Sequence, residues 1–340
     1  MNRSLLRWIL VVLMGLSLLL TLSSPGVAGA EESEDVPVLP TDITAGGNPP
    51  KEDNWVLDGK YPASYEDSTI SVTFEYGQIK HRLVSGPHKG KNVTDATVVA
   101  RIKIQHVSQL RTEWSYGTPS GSGAAKAEKI AQERNAVVAM NGDFYKQTKE
   151  KGYTVRQGEV IRDTAENSKN ILFDMLIIDS EGDFHAVYAA TTESIKAYVE
   201  ENLTPLGRTV LDTFNIGPVL VLNGEVQDVS AAEVTKHGGH EGLYQWSTPC
   251  HRIAIVQTGH LEYAIIYTDS KGNRESGLTI QELAEYVAEQ CPGALLAYNL
   301  DGGGSANLVA HNARIHKNSY LRNISDIIYF ASAEPAAEEE

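Results

Sequence analysis

Two segments of the chain follow the same plan, in which a helical pattern leads into a short apolar strand that ends in polar residues. Segment 123–140 leads to the motif Asn141-Gly-Asp143, and segment 279–300 leads to Asp301-Gly-Gly-Gly-Ser305. Ligands of α/β proteins usually lie at the carboxyl ends of strands. Both polar motifs are therefore candidates for a functional site.

The other strong patterns are those of β-strands. Residues 97–104 alternate in hydropathy, and one face carries Val98, Ala100, Ile102 and Ile104. Further runs typical of strands lie at 173–178, 218–222, 253–256 and 263–267. A hairpin turn is indicated at Asn223-Gly224, and a capping box at Thr279 begins a helix that Pro292 stops. These patterns predict an α+β fold: a single domain with a mixed, largely antiparallel β-sheet flanked by helices.

The two ends of the chain differ in composition from its middle. In residues 1–30, Arg3 and Arg7 precede an apolar run and a small-residue cleavage motif, which is the pattern of a signal peptide, and an uncleaved anchor is the alternative that the sequence leaves open. Residues 31–60 are rich in Glu, Pro, Gly and Asp, which predicts a flexible linker, and residues 334–340 read as an acidic tail. The intervening residues 61–333 are expected to form one folded domain.

The charge of the chain limits its partners. The formal net charge is −15, and cleavage after Ala30 removes two arginines and takes it to −17. Such an acidic surface repels phosphates, so neither nucleic acid nor anionic lipid is an expected partner. An anionic substrate is not excluded, since one arginine in a cleft can outweigh a diffuse surface field. No second long apolar stretch is present, so we expect no integral membrane segment after cleavage. Cys250 and Cys291 either pair in an oxidising compartment or remain buried thiols, and the sequence leaves both open.

The motif at 301–305 contains residues suited to an anion-binding turn. Its three consecutive glycines can adopt positive φ and let backbone N–H groups converge on an anion, and Ser305 adds a hydroxyl donor. These residues equally suit a wide hairpin turn, and the spacing of nucleotide-binding loops is absent. Ser305 also lacks the nucleophile-elbow motif of serine hydrolases, so that chemistry is not favoured.

Charged residues complete the candidate site. Asp301 and Asp143 follow equivalent strands, which suggests paired carboxylates for acid–base catalysis or for a cation. Arg252 begins one apolar strand and Arg322 precedes another. A buried guanidinium needs a core carboxylate or a bound phosphate as its partner. The histidines lack the spacing of a zinc site, so no metal site is predicted.

Taken together, these motifs resemble one family. They comprise 141–145, 217–224, 252–257, 276–283, 299–305 and 322–326. In this order they resemble the phosphodiester glycosidase family over about residues 95–331, and the run 299–305 is the most specific element. The resemblance implies that residues 61–333 form a catalytic domain that hydrolyses a sugar-1-phosphodiester at the anomeric carbon.

The residues suit the reaction that this resemblance implies. A phosphomonoester is a weak base, with a second pKa of about 6, so it leaves without much protonation. The site must then hold the departing phosphate and place a carboxylate at the anomeric carbon. The residues predicted to be catalytic are Asp301, Asp143 and Arg252. The residues predicted to bind substrate or phosphate are Asn141, Gly302, Gly303, Gly304, Ser305 and Arg322. A carboxylate separation of about 5 Å predicts retention of configuration, and one of about 6.5–9.5 Å predicts inversion.

The signal peptide and the resemblance together predict a secreted or cell-surface hydrolase acting on cell-envelope or exopolysaccharide glycans. No cofactor is expected. One alternative is a non-catalytic cell-wall protein that retains the pocket and binds glycan without turnover. Another is a divalent-cation site built on Asp301, Asp143 and backbone carbonyls, although the EF-hand spacing is absent.

Overall fold

The computed structural model of the protein describes residues 36–42, 44–115, 123–143, 152–165, 172–229, 247–271, 276–318 and 320–335. The predicted signal peptide lies outside the described residues, as do residues 144–145 of the first polar motif and 336–340 of the predicted tail. The described α-helices are α1 (Ala127–Glu133), α2 (Thr192–Tyr198) and α3 (Ile280–Gln290), and shorter helical turns lie at Glu52–Asn54, Val107–Gln109, Val199–Leu203, Thr204–Leu206 and Gly303–Ser305. The described strands are β1 (Trp55–Asp58), β2 (Tyr61–Glu66), β3 (Ile70–Arg82), β4 (Asn92–Ile104), β5 (Leu110–Trp114), β6 (Ala136–Asn141), β7 (Thr154–Arg156), β8 (Glu159–Arg162), β9 (Met175–Asp179), β10 (Phe184–Val187), β11 (Val210–Phe214), β12 (Val219–Leu222), β13 (Glu225–Val226), β14 (Arg252–Gly259), β15 (Glu262–Thr268), β16 (Leu296–Asn299), β17 (Leu308–Ala310), β18 (Ala313–Arg314) and β19 (Asp326–Ala331).

These strands form two large and two small sheets. The nine-stranded sheet has the spatial order β1-β2-β3-β4-β15-β14-β16-β12-β13, and the five-stranded sheet has the order β18-β17-β6-β19-β5. The smaller sheets are β10-β9-β11 and β7-β8. Every pairing between these described strands is antiparallel. The largely antiparallel α+β architecture is confirmed, but the expectation of a mixed sheet is wrong. The two strands that end in the polar motifs, β6 and β16, lie in different sheets instead of pairing in parallel.

The two large sheets pack face to face over the main core. Buried side chains from both sheets, such as Ile255 of β14 and Ile328 of β19, belong to one apolar cluster. On the outer face of the nine-stranded sheet lies α3, which buries Leu283, and on the outer face of the five-stranded sheet lies α1, which buries Ile130. Burial of each such side chain contributes roughly 1.5–3 kcal/mol. The main layers are therefore helix, sheet, sheet and helix.

Several predicted elements are found where the sequence placed them. Val98, Ala100, Ile102 and Ile104 of β4 all contribute to the main core, as their alternation predicts. Asn223 and Gly224 turn the chain between β12 and β13 with φ values of 50° and 79°. The first helix begins at Ala127 instead of residue 123, because Ala125 forms a β-bridge to Ile324.

Residues 36–60 differ from the predicted linker. Val36–Glu340 forms one compact unit, and Leu39 is only 4% exposed within it. The buried guanidinium of Arg111 donates hydrogen bonds to three carbonyl oxygens of the segment, those of Pro40, Asp42 and Ala45. The prediction of a flexible linker is therefore wrong for residues 36–60. Composition misleads here because backbone carbonyls, more than apolar side chains, attach this segment to the domain.

The predicted acidic tail also begins inside the packed structure. Lys51 forms an ion pair of 2.6 Å with Glu334, the first residue of that tail.

Both cysteines are free and buried, and Cys291 Sγ accepts a hydrogen bond from Arg101 Nη1 at 3.8 Å. The choice left open by the sequence is therefore resolved in favour of two thiols. Of the helices described, none has the length and apolar character needed to span a bilayer.

Candidate active site

The two predicted polar motifs meet at one edge of the paired sheets. Asn141 ends β6 and Asp301 follows β16, so each motif begins where a buried strand stops. Asn141 Nδ2 donates a hydrogen bond to the carbonyl oxygen of Asp301 at 2.9 Å, and its Oδ1 accepts one from the Asn307 N–H at 2.9 Å. Asn141 is 1% exposed. Its side chain therefore joins the two sheets and positions the second motif, and its contact with substrate stays a prediction.

The glycine turn, residues 302–305, requires glycine because neighbouring backbone lies very close. A Cβ atom on Gly302 would lie 2.8 Å from the carbonyl oxygen of His251, and one on Gly304 would lie 2.7 Å from that of Tyr320. Gly303 has a φ of 58°, and its N–H donates to the His251 carbonyl oxygen at 2.9 Å. The turn is therefore held in one conformation against the start of β14.

Asp301, Ser305 and Arg322 form a hydrogen-bonded group at this turn. Arg322 Nη2 donates to Asp301 Oδ2 at 2.8 Å, and Arg322 Nε donates to Ser305 Oγ at 2.6 Å. The Arg322 side chain is 39% exposed, whereas that of Asp301 is 9% exposed. Burial raises the pKa of Asp301 above its ordinary value, although Arg322 and Ser305 oppose the shift. A cation facing solvent thus lies beside a buried carboxylate.

Arg252 lies beside the same turn. Its Nη1 atom would be 3.5 Å from a Cβ placed on Gly302. Its Nε donates to the Leu278 carbonyl oxygen at 3.0 Å, and its Nη2 donates to that of Thr248 at 2.8 Å. The guanidinium is 3% exposed and contributes positive charge near Asp301. Arg252 and the glycine turn therefore share one region, as the sequence-based hypothesis requires.

Asp143 belongs to a second group of charges, the buried ion cluster of Asp143, Arg156 and Asp326. Arg156 Nη2 donates to Asp143 Oδ2 at 2.8 Å and to Asp326 Oδ2 at 3.0 Å. The other oxygen of Asp143 accepts a hydrogen bond from the Asn215 N–H at 2.8 Å. Asp143 and Asp301 thus follow strands that meet at one edge, but they bind different arginines.

The buried ion cluster carries more carboxylate than one guanidinium can balance. Arg156 is 1% exposed and lies over the rings of Phe214 and Trp114, at 4.4 and 5.2 Å from their centroids. Burial raises the pKa of Asp326 to about 7, against the attraction of Arg156 and with the repulsion of Asp143. Burial in this cluster therefore favours the protonated form of Asp326 at pH values below about 7.

Three residues of this region were not predicted from the sequence as site residues, namely Arg156, His251 and Asp326. Asp326 is part of a segment used for the family resemblance, but Arg156 lies in a short strand that carries no motif. His251 is 2% exposed, and its Nε2 lies 3.1 Å from Asp269 Oδ1. Burial alone would raise the pKa of Asp269, but the adjacent His251 ring and the hydrogen bond from the Ser270 N–H outweigh it and lower that pKa. The only feature of the sequence that could have drawn attention to His251 is its position directly before Arg252.

The described residues contain no group of three or more His, Cys, Asp or Glu side chains arranged to hold a metal ion. The expectation that no cofactor is used remains a prediction.

Comparisons with known proteins bear on the whole domain. A family model described as phosphodiester glycosidase matches residues 134–331. The structure is similar to the zebrafish N-acetylglucosamine-1-phosphodiester alpha-N-acetylglucosaminidase catalytic domain, auto-inhibited by its pro-peptide. The TM-score is 0.55 at 16% identity, over 78% of this chain and 88% of that chain. A hypothetical protein from Synechocystis gives a TM-score of 0.45 at 14% identity, over 79% of this chain and 76% of that chain.

No curated protein matches the chain by sequence. At 16% identity, the structural likeness to the zebrafish domain shows a shared fold. The family model, however, matches more than half of the chain and includes both polar motifs. The chain belongs to the phosphodiester glycosidase family.

Proposed function

We propose that the protein is an exported hydrolase that cleaves the anomeric bond of a sugar-1-phosphodiester in cell-envelope or exopolysaccharide glycans. The observation that carries this proposal is the group formed by Asp301, Ser305 and Arg322 at the glycine turn. It sets a carboxylate, a hydroxyl and a guanidinium side by side, with the charge of Arg252 nearby. Family membership supports the same reaction class.

In the proposed reaction, the bond between the anomeric carbon and the phosphate oxygen breaks, and the electron pair leaves with the phosphate. Arg322 and the Ser305 hydroxyl stabilise the departing phosphate, because charge-assisted hydrogen bonds to phosphate are strong. Water supplies the new oxygen on the anomeric carbon, and its proton is released to solvent. The weakly basic leaving group reduces the need for a general acid.

We assign the role at the anomeric carbon to Asp301 in preference to Asp143. Both oxygens of Asp143 accept hydrogen bonds from the protein, one from Arg156 and one from the Asn215 N–H. Asp301 is also hydrogen-bonded, by Arg322 and Ser305, but the Arg322 side chain is partly exposed, so a phosphate can approach there. Its raised pKa also brings its basicity nearer to the range useful for acid–base catalysis.

The substitution Asp301→Asn tests this proposal. We expect it to lower the release of free sugar from a small chromogenic sugar-1-phosphodiester by at least about 10³-fold, because the carboxylate is lost while the shape of the side chain is kept. Reducing ends and free phosphomonoester would be measured together, and the anomer formed first would be identified by NMR. Asp53→Asn, at an exposed position, is the matched control.

Turnover by Asp301→Asn at the wild-type rate would end the assignment. Binding of the phosphodiester by the wild-type protein without new reducing ends would instead favour a non-catalytic glycan-binding protein.

The cofactor prediction is checked in the same assay, since activity should persist in excess EDTA. For export, the expected observation is a mature protein outside the cytoplasm whose first residue is Glu31.

A further inference from the structure

An open cleft of about 460 Å³ lies between β3 and the segment that follows β18. Two pairs of rings line this aromatic cleft, which we define by Tyr61, Tyr76, Tyr267 and His316. The rings of Tyr61 and Tyr76 stack with centroids 5.3 Å apart, and those of Tyr267 and His316 stack at 4.4 Å. Tyr76 is 40% exposed although it is a large aromatic side chain. Tyr76 therefore offers ring surface to a ligand, whereas Tyr267 is buried behind His316 and forms the floor of the cleft.

The aromatic cleft has the chemistry of a sugar-binding surface. The negative face of an aromatic ring attracts the C–H groups on the apolar face of a pyranose. Burial lowers the pKa of His316 to about 3, so its ring stays neutral and adds no charge to the cleft. Within the described part of the chain, His316 Nε2 has no hydrogen-bond partner. Asp58 and Asp269 also line the cleft, and carboxylates accept hydrogen bonds from sugar hydroxyls.

A basic stretch continues from the aromatic cleft along β3. Between Glu75 and Asp95 the sequence contains no acidic residue, although the chain as a whole has a net charge of −15. The basic residues of this stretch are Lys80, Arg82, Lys89 and Lys91. Because side chains alternate along a strand, Lys80 and Arg82 lie on the same face of β3 as Tyr76. Two positively charged side chains therefore lie along β3 next to the stacked rings of Tyr61 and Tyr76.

The aromatic cleft and the candidate active site are connected through one short loop. Asn318 Nδ2 donates to the Gly303 carbonyl oxygen at 3.2 Å, and the Asn318 N–H donates to His316 Nδ1 at 3.2 Å. The same loop therefore contacts both the glycine turn and the cleft. The strand register also places the cleft and the site at the same level of the nine-stranded sheet. One row of paired residues runs from Gly77, next to Tyr76, through Thr97 and Thr268 to Arg252. Beyond this row, β3 and β4 extend past the edge where Asp301 lies.

We propose that the aromatic cleft and the adjoining Lys80 and Arg82 bind the remainder of an extended, phosphodiester-linked glycan whose scissile unit occupies the glycine turn. This inference rests on the proposed function and names its substrate class as polymeric and anionic. A sugar ring lies against the exposed Tyr76, which Tyr61 supports by stacking, and a phosphate of the next repeat lies against the two basic side chains. Successive residues on one face of a strand are about 7 Å apart, so Tyr76, Lys80 and Arg82 form a line of side chains along β3 that can contact successive units of a repeating ligand.

The test compares two substrates: a small chromogenic sugar-1-phosphodiester and a short oligomer of phosphodiester-linked sugars. We expect Tyr76→Ala and Lys80→Glu each to lower the ratio of kcat/KM for the oligomer to kcat/KM for the small substrate by about tenfold, the effect of losing about 1.4 kcal/mol of binding. Tyr76→Phe keeps the ring, and Lys196→Glu makes the same charge change at an exposed site on α2. Neither control should change the ratio.

Calorimetric binding of the oligomer to Asp301→Asn separates this inference from the proposed function, because it requires no turnover. Lys80→Glu in that background should weaken binding at low salt and have little effect in about 1 M salt, where the Debye length is about 3 Å. Binding of a neutral oligosaccharide of equal length should be weakened by Tyr76→Ala but not by Lys80→Glu.

Oligomer binding that neither substitution changes would overturn the inference even if the small substrate is hydrolysed. Failure to hydrolyse the small substrate, with substitution-sensitive binding retained, would overturn only the catalytic proposal.

Discussion

Asp143 and Asp326 accept hydrogen bonds from the same nitrogen atom, Nη2 of Arg156, at 2.8 and 3.0 Å. One buried cation beside two buried carboxylates leaves an excess negative charge, and a proton on one carboxyl group relieves it. Burial raises the pKa of Asp326 to about 7, and repulsion from Asp143 adds to the increase. At the scale of single residues, this cluster therefore makes stability depend on pH.

The direction of that dependence follows from proton binding. An unfolded Asp titrates near pH 3.9, so between about pH 4 and pH 7 the folded state holds a proton that the unfolded state has lost. The free energy of unfolding contributed by Asp326 is therefore fully present below about pH 4 and is lost as pH rises through about 7. Asp326→Asn is neutral at every pH and should remove this decline.

Urea unfolding at pH 5 and pH 8 measures the effect. We expect the wild-type protein to lose more stability between these two values than Asp326→Asn does. Asp53→Asn, at an exposed position, should follow the wild type. Parallel changes in the wild type and Asp326→Asn would show that the proton is not held at this carboxyl group.

Sequence reasoning identified Asp301, Ser305 and Arg322, and the structure joins them by hydrogen bonds. Two of them lie in one contiguous motif, and the third begins the segment 322–326, so a local signal existed for each. Arg156 gave no such signal. Its two carboxylate partners lie 13 and 170 positions away, and an arginine in a three-residue strand has no diagnostic period. Contacts of this range become visible only in the folded chain.

At the scale of elements, α3 shows how a local pattern determines a helix. Thr279 Oγ1 accepts a hydrogen bond from the Glu282 N–H at 3.2 Å, and Glu282 Oε2 accepts one from the Thr279 N–H at 2.8 Å. The capping box predicted from these two residues is therefore present. The helix packs Leu283 and Val287 against the outer face of the nine-stranded sheet. Its start is thus fixed by neighbours in sequence, and its position is fixed by the sheet.

Removal of the cap should destabilise the protein by a measurable amount. Thr279→Ala leaves the Glu282 N–H without its side-chain acceptor, and we expect a loss of about 1 kcal/mol in the free energy of unfolding. Thr279→Ser retains the hydroxyl and should lose much less. Urea denaturation at pH 7 measures both variants. Equal destabilisation by Ala and Ser would attribute the effect to the lost methyl group instead of the cap.

For the whole molecule, the extent of the domain depends on a buried arginine. Arg111 is 1% exposed and donates hydrogen bonds to the carbonyl oxygens of Pro40, Asp42 and Ala45. Loss of the segment would leave a buried guanidinium without these acceptors. An unpaired buried polar group costs about 1–3 kcal/mol, and more when it is charged. The residues that composition marks as a linker are therefore required by the core.

Two truncated proteins test this boundary. A protein that begins at Val36 should unfold like the full mature chain. One that begins at Lys51 should lose at least about 3 kcal/mol, because it lacks the acceptors of Arg111 and the buried side chain of Leu39. Thermal and urea unfolding measure the difference. Equal stability of the two proteins would restore the interpretation of residues 36–50 as a linker.

The sequence alone determined the main strands, the capped helix α3 and the specific motif at 299–305, because each depends on residues close together in the chain. It also identified the family, which the match over residues 134–331 confirms. Only the tertiary structure decided the antiparallel pairing, the attachment of residues 36–60, the partners of Arg156 and the aromatic cleft beside the glycine turn. These features arise from contacts between distant segments, which side-chain periodicity does not encode. The folded chain sets them by burying apolar surface while giving buried guanidinium groups such as those of Arg111 and Arg156 oxygen acceptors.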